Sequence, residues 1–228
     1  MTERSSIFDM IGPVMIGPSS SHTAGVARIG RAARHILGIQ PSQVEITWYN
    51  SFATTYEGHG SDRALLAGLM DFKTDDERIR EALAIATQNG IQYSFKSVMS
   101  ASKLHPNSVR IHAQGNAGGV ARELDLLGVS RGGGLVTIAE VDGFHANFTT
   151  QLHTLIIKAD DTKGSVAFIS SVIAHDDGNI ATMTVGRVAK NNLACLIYET
   201  DSPIRTLTLD YLRSLWWVKN VTYMHPLD

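Results

Sequence analysis

The stretch Leu152-His153-Thr154-Leu155-Ile156-Ile157-Lys158-Ala159, followed by Asp160-Asp161-Thr162-Lys163-Gly164 and the run Ser165 to His175, decides the second half of the fold. The first run is rich in β-branched residues and predicts a strand. Asp160 to Gly164 predicts a turn. Val166, Ile169, Val172 and Ile173 recur at helical spacing, which predicts a helix over 165–175. Beyond it the patterns predict strands over 179–185 and 193–199, a helix over 205–215 and a last strand over 218–224. The order is βαββαβ, a ferredoxin-like unit by element order.

Before residue 149 the pattern differs. Ile29, Ala32, Ala33, Ile36 and Leu37 predict a helix that Gly38 stops. Val44 to Tyr49 predicts a strand, and Asn50 to Gly60 a polar loop. A second helix is expected from Ser61 and a third over 75–88. Strands are expected over 93–99 and 109–113. The runs 135–141 and 144–148 are expected to form a hairpin about a type I′ turn at Asp142-Gly143. The expected class is therefore α+β: an N-terminal α/β domain over 1–148 and a second domain over 149–228. No proline-rich linker separates them.

Composition excludes several classes. A hydrophobic fraction of 43% with 18% charged residues is that of a globular chain and not a disordered one. The net charge of −2, without a basic run, gives no electrostatic footprint for nucleic acid. An anionic ligand must be held by local geometry. The single cysteine, Cys195, excludes an internal disulfide and a multi-cysteine metal site built from this chain alone. It lies in an apolar strand pattern and reads as buried and structural. No histidine pair has metalloprotease spacing, so no metal ligand is expected. Residues 1–8 lack the apolar core of a signal peptide and no stretch is long enough to span a bilayer, so a cytoplasmic protein without membrane association is expected.

Four stretches carry candidate chemistry. Gly17-Pro18-Ser19-Ser20-Ser21-His22-Thr23-Ala24-Gly25 feeds the first helix, with Ser21 or Thr23 as N-cap. Backbone N–H groups at a helix start favour a carboxylate or phosphate, and the hydroxyls of Ser19, Ser20, Ser21 and Thr23 add donors. An ordinary serine-rich cap is the other reading. A serine–histidine nucleophile pair is a third, but the strand–Gly-x-Ser-x-Gly elbow is absent. His59, between Gly58 and Gly60, has an imidazole suited to accept a proton, or is a loop histidine near a cap. Ser130-Arg131-Gly132-Gly133-Gly134 is either an anion loop or a flexible entry to the hairpin. Asp161 to Gly164 either makes a small-molecule site with Ser165 or is a tight strand–helix turn.

Together, Gly17 to Gly25 and Gly58-His59-Gly60-Ser61-Asp62-Arg63-Ala64 resemble the β subunit of the iron–sulfur-dependent L-serine dehydratases. Ser130 to Gly134 and Val141-Asp142-Gly143-Phe144 match as well. Ser61 stands where the family commonly has threonine, and either caps a helix. The βαββαβ unit resembles an ACT domain. The N-terminal half also resembles the allosteric substrate-binding domain of phosphoglycerate dehydrogenase.

The resemblance implies deamination of L-serine to pyruvate and ammonia. It implies a [4Fe–4S] cluster held by cysteines of a separate α subunit, whose open iron acts as a Lewis acid on the substrate hydroxyl. It implies His59 as base and His22 as second contact or relay, with the two roles open to exchange. Ser19, Ser20, Ser21 and Thr23 would bind the carboxylate, with Ser130, Arg131, Gly132 and Gly133 as further substrate contacts. The ACT unit would self-associate through strand edges and bind an effector near Gly164 and Ser165. The alternative is a non-catalytic allosteric module that binds an effector at the same loop.

Overall fold

The computed structural model describes residues 13–190 and 192–227. The start of the chain, read above for a signal peptide, lies outside the described residues. The chain divides into two compact units, one ending at Asp142 and including Leu227, the other spanning Gly143–Pro226.

In the first unit, a π-helical turn Ser20–Ala24 runs into α1 (Gly25–Leu37). Then follow β1 (Gln43–Tyr49), α2 (Ser51–Thr55), α3 (Ser61–Leu69), a 3-10 turn Glu77–Glu81 and α4 (Ala82–Gln88). The unit closes with β2 (Gln92–Val98), β3 (Ser108–Ala117), β4 (Val120–Gly132) and β5 (Leu135–Val141). These strands lie in the order β2-β1-β3-β4-β5. β1 and β2 are parallel, and the other neighbours are antiparallel.

The helical periodicity read for α1 is its burial pattern: Ile29, Ala32 and Ala33 are fully buried. Gly38, left-handed at φ 77°, ends the helix as expected. Asp142 (φ 49°) and Gly143 (φ 79°) both have the positive φ of a type I′ turn.

Four expectations are corrected. The N-cap is Ser19, whose side chain accepts the His22 N–H, because the chain enters α1 through a π-helical turn five residues earlier. The segment 50–60 is not all loop but contains α2. The third helix starts as a 3-10 turn capped by Asp76 and becomes α-helical only at Ala82. Finally, β4 has no counterpart in the sequence reading: Val120 to Glu123 are exposed and Gly128 interrupts the apolar run. Gly128 is there for packing, since a Cβ on it would sit 2.4 Å from the Ile29 side chain of α1.

The second unit begins with β6 (Phe144–Thr149). β7 (His153–Asp160), α5 (Ser165–His175), β8 (Ile180–Arg187), β9 (Leu193–Thr200), α6 (Thr206–Ser214) and β10 (Val218–Met224) follow. Its sheet order is β10-β7-β9-β8, antiparallel throughout. That is the ferredoxin-like arrangement, with the first and third strands of the βαββαβ unit central. Leu155, Ile157, Leu196 and Tyr198 pack against Ile169, Ile173, Leu209 and Leu212 of the two helices. Cys195 is buried and forms no disulfide. Among the described residues, no helix is long and apolar enough to cross a membrane.

Helices α1 and α3 approach closely enough to touch backbone to backbone. A Cβ on Gly68 would lie 2.1 Å from the Ala27 carbonyl oxygen, and one on Gly30 2.4 Å from that of Leu65. Alanine at 68 would gain about 1 kcal/mol of helix propensity. The clash is with helix backbone, which cannot yield locally, so overpacking of about 1–3 kcal/mol should prevail. Gly68→Ala is expected to lower the unfolding midpoint in urea; an unchanged or higher midpoint would show that the helices can separate freely.

Candidate active site

Two loops meet where α1 and α3 begin. The Thr23 hydroxyl donates to the His59 carbonyl at 3.2 Å, and the Ser61 hydroxyl donates to the His22 carbonyl at 2.7 Å. These reciprocal bonds lock the serine-rich turn to the Gly58–Gly60 loop. Gly17, at φ 132°, lets the chain pass against Thr23, since a Cβ there would fall 2.4 Å from the threonine methyl carbon. Gly60, left-handed at φ 67°, turns the chain into α3.

The locked loops bring His22 and His59 together, with ring centroids 4.6 Å apart and planes tilted by 32°. Phe52 stands edge-on to His22 at 4.9 Å, and Trp48 backs Phe52 at 5.7 Å. The Nδ1 of His59 lies 3.1 Å from the Thr55 carbonyl oxygen. A carbonyl only accepts, so Nδ1 carries the proton and Nε2 is the basic atom of the neutral ring.

His22 is held differently. Its Nδ1 lies 3.1 Å from the Ser21 hydroxyl and 3.4 Å from that of Ser19. Its Nε2 is buried and has no hydrogen-bond partner among the described residues. Burial, and then the neighbouring His59, lower its pKa below the ordinary 6.5.

Beside His59 lies a cavity of about 180 Å³, lined by Gly17, Thr23, Glu57, Ile79, Arg63 and Arg80 among others. It is smaller than the ~300–1,000 Å³ of pockets for drug-sized ligands, and suits a metabolite of a few heavy atoms. Of the predicted hydroxyl residues only Thr23 lines it. Ser19 and Ser21 face His22, and Ser20 opens the π-helical turn.

The glycine-run residues sit elsewhere. Ser130 to Gly132 end β4, and Gly132 to Gly134 form a turn with φ of 99°, 60° and 79°. The Ser130 hydroxyl is buried and has no hydrogen-bond partner among the described residues, where a Cβ on Gly25 would sit 2.3 Å away. Arg131 is exposed; its Nε–H donates to Thr137 at 3.4 Å, and its charge helps depress the pKa of His105, after the larger effect of burial. Neither Ser130, Arg131, Gly132 nor Gly133 lines the His59 cavity. Gly164 and Ser165 begin α5 in the second unit.

Glu57, Arg63, Ile79 and Arg80 were not singled out from the sequence. Arg63 lies in the Gly58–Ala64 motif and was within reach of such a reading. Arg80 comes from a 3-10 turn with no local signal.

Fold and site define a two-part α+β chain: a unit with paired histidine rings beside a small cavity, then a ferredoxin-like unit. The family described as serine dehydratase beta chain matches residues 6–141. A probable L-serine dehydratase beta chain of Bacillus subtilis is 42% identical over 95% of this chain and 96% of its own length. The L-serine dehydratase beta chain of Peptoniphilus asaccharolyticus is 35% identical over 87% of this chain and 88% of its own. A D-3-phosphoglycerate dehydrogenase of B. subtilis is 26% identical over 71% of this chain but only 30% of its own length. The ACT domain of a Chlorobium tepidum GTP pyrophosphokinase, 24% identical, covers 32% of this chain and 97% of its own with a TM-score of 0.27. The chain belongs to the serine dehydratase beta chain family.

The folded state disfavours protonated His22, so the unfolded chain binds that proton more readily. Its effect on stability is absent well above pH 6.5 and becomes a growing loss as pH falls through 6.5 toward the folded value. In ¹H–¹³C spectra the His22 ring is expected to titrate below 6.5; a midpoint at or above that value would contradict the burial of its Nε2.

Proposed function

We propose that this chain is the proton-handling half of an L-serine dehydratase, with His59 as the base. The observation that carries the reading is the Thr55 carbonyl on Nδ1, which leaves Nε2 of a cavity-lining histidine basic. Nε2 takes the Cα proton of L-serine, the freed electron pair forms the Cα–Cβ double bond, and the β-hydroxyl leaves with the C–O pair as hydroxide and is protonated to water. The aminoacrylate tautomerises to an imine, and water hydrolyses it to pyruvate and ammonia. His22, kept neutral by burial and with its ring centroid 4.6 Å from that of His59, is the second contact or relay of this reading.

The [4Fe–4S] cluster of this reading does not fit the residues of this chain. Its one cysteine is buried in β9 of the second unit. Among the described residues, no group of three or more His, Cys, Asp or Glu side chains is placed to hold a metal. We assign the cluster to a partner α subunit and derive no step through it here.

His59→Gln in the reconstituted pair is expected to cut kcat about 10²–10⁴-fold while subunit assembly and cluster absorbance persist. The assay combines the chain with a cysteine-rich α subunit, iron and sulfide under anaerobic conditions, and follows pyruvate from L-serine. Activity must require both chains. A His59→Gln pair with near-normal kcat rules out the base assignment. The likeness to a phosphoglycerate dehydrogenase favours a second reading, a non-catalytic effector module, which predicts ligand binding without turnover in either case.

We further read the second unit as an ACT-type module that senses an amino acid near Gly164 and Ser165 or pairs with its copy. Its element and sheet order support this, as do the open edges of β10 and β8. Light scattering of the purified chain should give a dimer mass that Thr184→Pro in β8 shifts to monomer; an unaffected dimer argues against pairing through that edge.

A further inference from the structure

The His59 cavity carries both signs of charge. Arg63 and Arg80 line it, and so does Glu57. Glu57 is held in place: its Oε1 accepts from the Tyr56 hydroxyl at 3.0 Å. Tyr56 is itself stacked on Trp48 at 5.3 Å with planes 14° apart, and Trp48 is fully buried. The exposed Glu57 carboxylate is thus tethered at the cavity rim by a half-buried tyrosine, and its second oxygen has no partner among the described residues. Asp62, in the first turn of α3, does not line the cavity. Its pKa is raised mainly by burial and further by Glu57. The Arg80 guanidinium makes no ion pair or hydrogen bond among the described residues, so its charge is available to a ligand. Ile79 is buried and, with Ile16, forms an apolar wall that strengthens charge interactions inside the cavity.

A small anion alone would be repelled by Glu57, and a small amine alone by the arginines. A molecule with both an ammonium and a carboxylate on one carbon satisfies each wall. We infer that Glu57 is a specificity-determining residue that receives the α-ammonium group of the substrate, while Arg80, with Arg63, faces its carboxylate. The cavity then selects a zwitterionic α-amino acid over the corresponding 2-hydroxy acid. This deepens the proposed serine reaction and rests on His59 marking the reacting carbon.

The test compares L-serine with glycerate, which replaces the ammonium by a hydroxyl, in the reconstituted two-chain enzyme. A charge-assisted hydrogen bond of about 1.5–3 kcal/mol corresponds to about 10–150-fold in affinity. Glu57→Gln should therefore raise KM for L-serine by at least about tenfold. The inhibition constant of glycerate should stay the same or fall, because the repelling carboxylate is gone. Arg80→Gln should weaken both ligands together. Circular dichroism and co-purification with the partner establish that each variant folds and assembles. An unchanged KM in Glu57→Gln, or equal weakening of serine and glycerate, overturns the inference while the serine reaction itself stands. A wild-type pair that binds but does not turn over L-serine would instead overturn the functional reading beneath it.

Discussion

The contact between α1 and α3 at Gly30 and Gly68 governs the rest of the first unit. Because neither residue has a side chain, the two helix backbones approach to van der Waals distance. Their N-termini are thereby brought side by side, close enough for Thr23 to bond the His59 carbonyl and Ser61 the His22 carbonyl. A methyl group at either glycine would push the helices apart. The cross-bonds would stretch, and the histidine rings would lose their 4.6 Å spacing.

The site uses backbone more than side chains to set its chemistry. One carbonyl, that of Thr55, fixes the His59 tautomer, and α2 exists to present it. The five-residue helix carries Phe52 against His22 and Thr55 against His59. The same stretch then supplies Tyr56 and Glu57 to the cavity. The hydroxyls of Ser19 and Ser21 face a histidine ring. Ser19 caps the turn, and with Ser21 it surrounds Nδ1 of His22. Arg63 and Arg80 bring positive charge to the cavity beside His59.

A buried carboxylate shows how the second unit is pinned. Glu199 accepts from the backbone N–H and hydroxyl of Thr149 and from the hydroxyl of Thr182. These three donors replace the hydrogen bonds to water that its burial removes. They join the end of β6 to β8 and β9, in a chain segment with no linker character.

The sequence by itself determined what depends on near neighbours. Helical periodicity placed α1, α5 and α6 within a few residues, and the paired positive-φ preference of Asp142-Gly143 placed the tight turn. The βαββαβ order and the two motifs around His22 and His59 were legible for the same reason: each is a local pattern. What only the tertiary structure decided depends on residues far apart in the chain. β4 escaped because its exposed half has no alternation and its Gly128 serves Ile29 of α1, about a hundred residues away. Ser130 read as a loop donor but is buried beside Gly25. Arg80 reaches the His59 cavity only because the 3-10 turn at Glu77–Glu81 is brought there, along with Gly17 and Thr23. Spacing along a chain records helix and strand periods; it does not record which helix starts are packed together, and that packing makes this site.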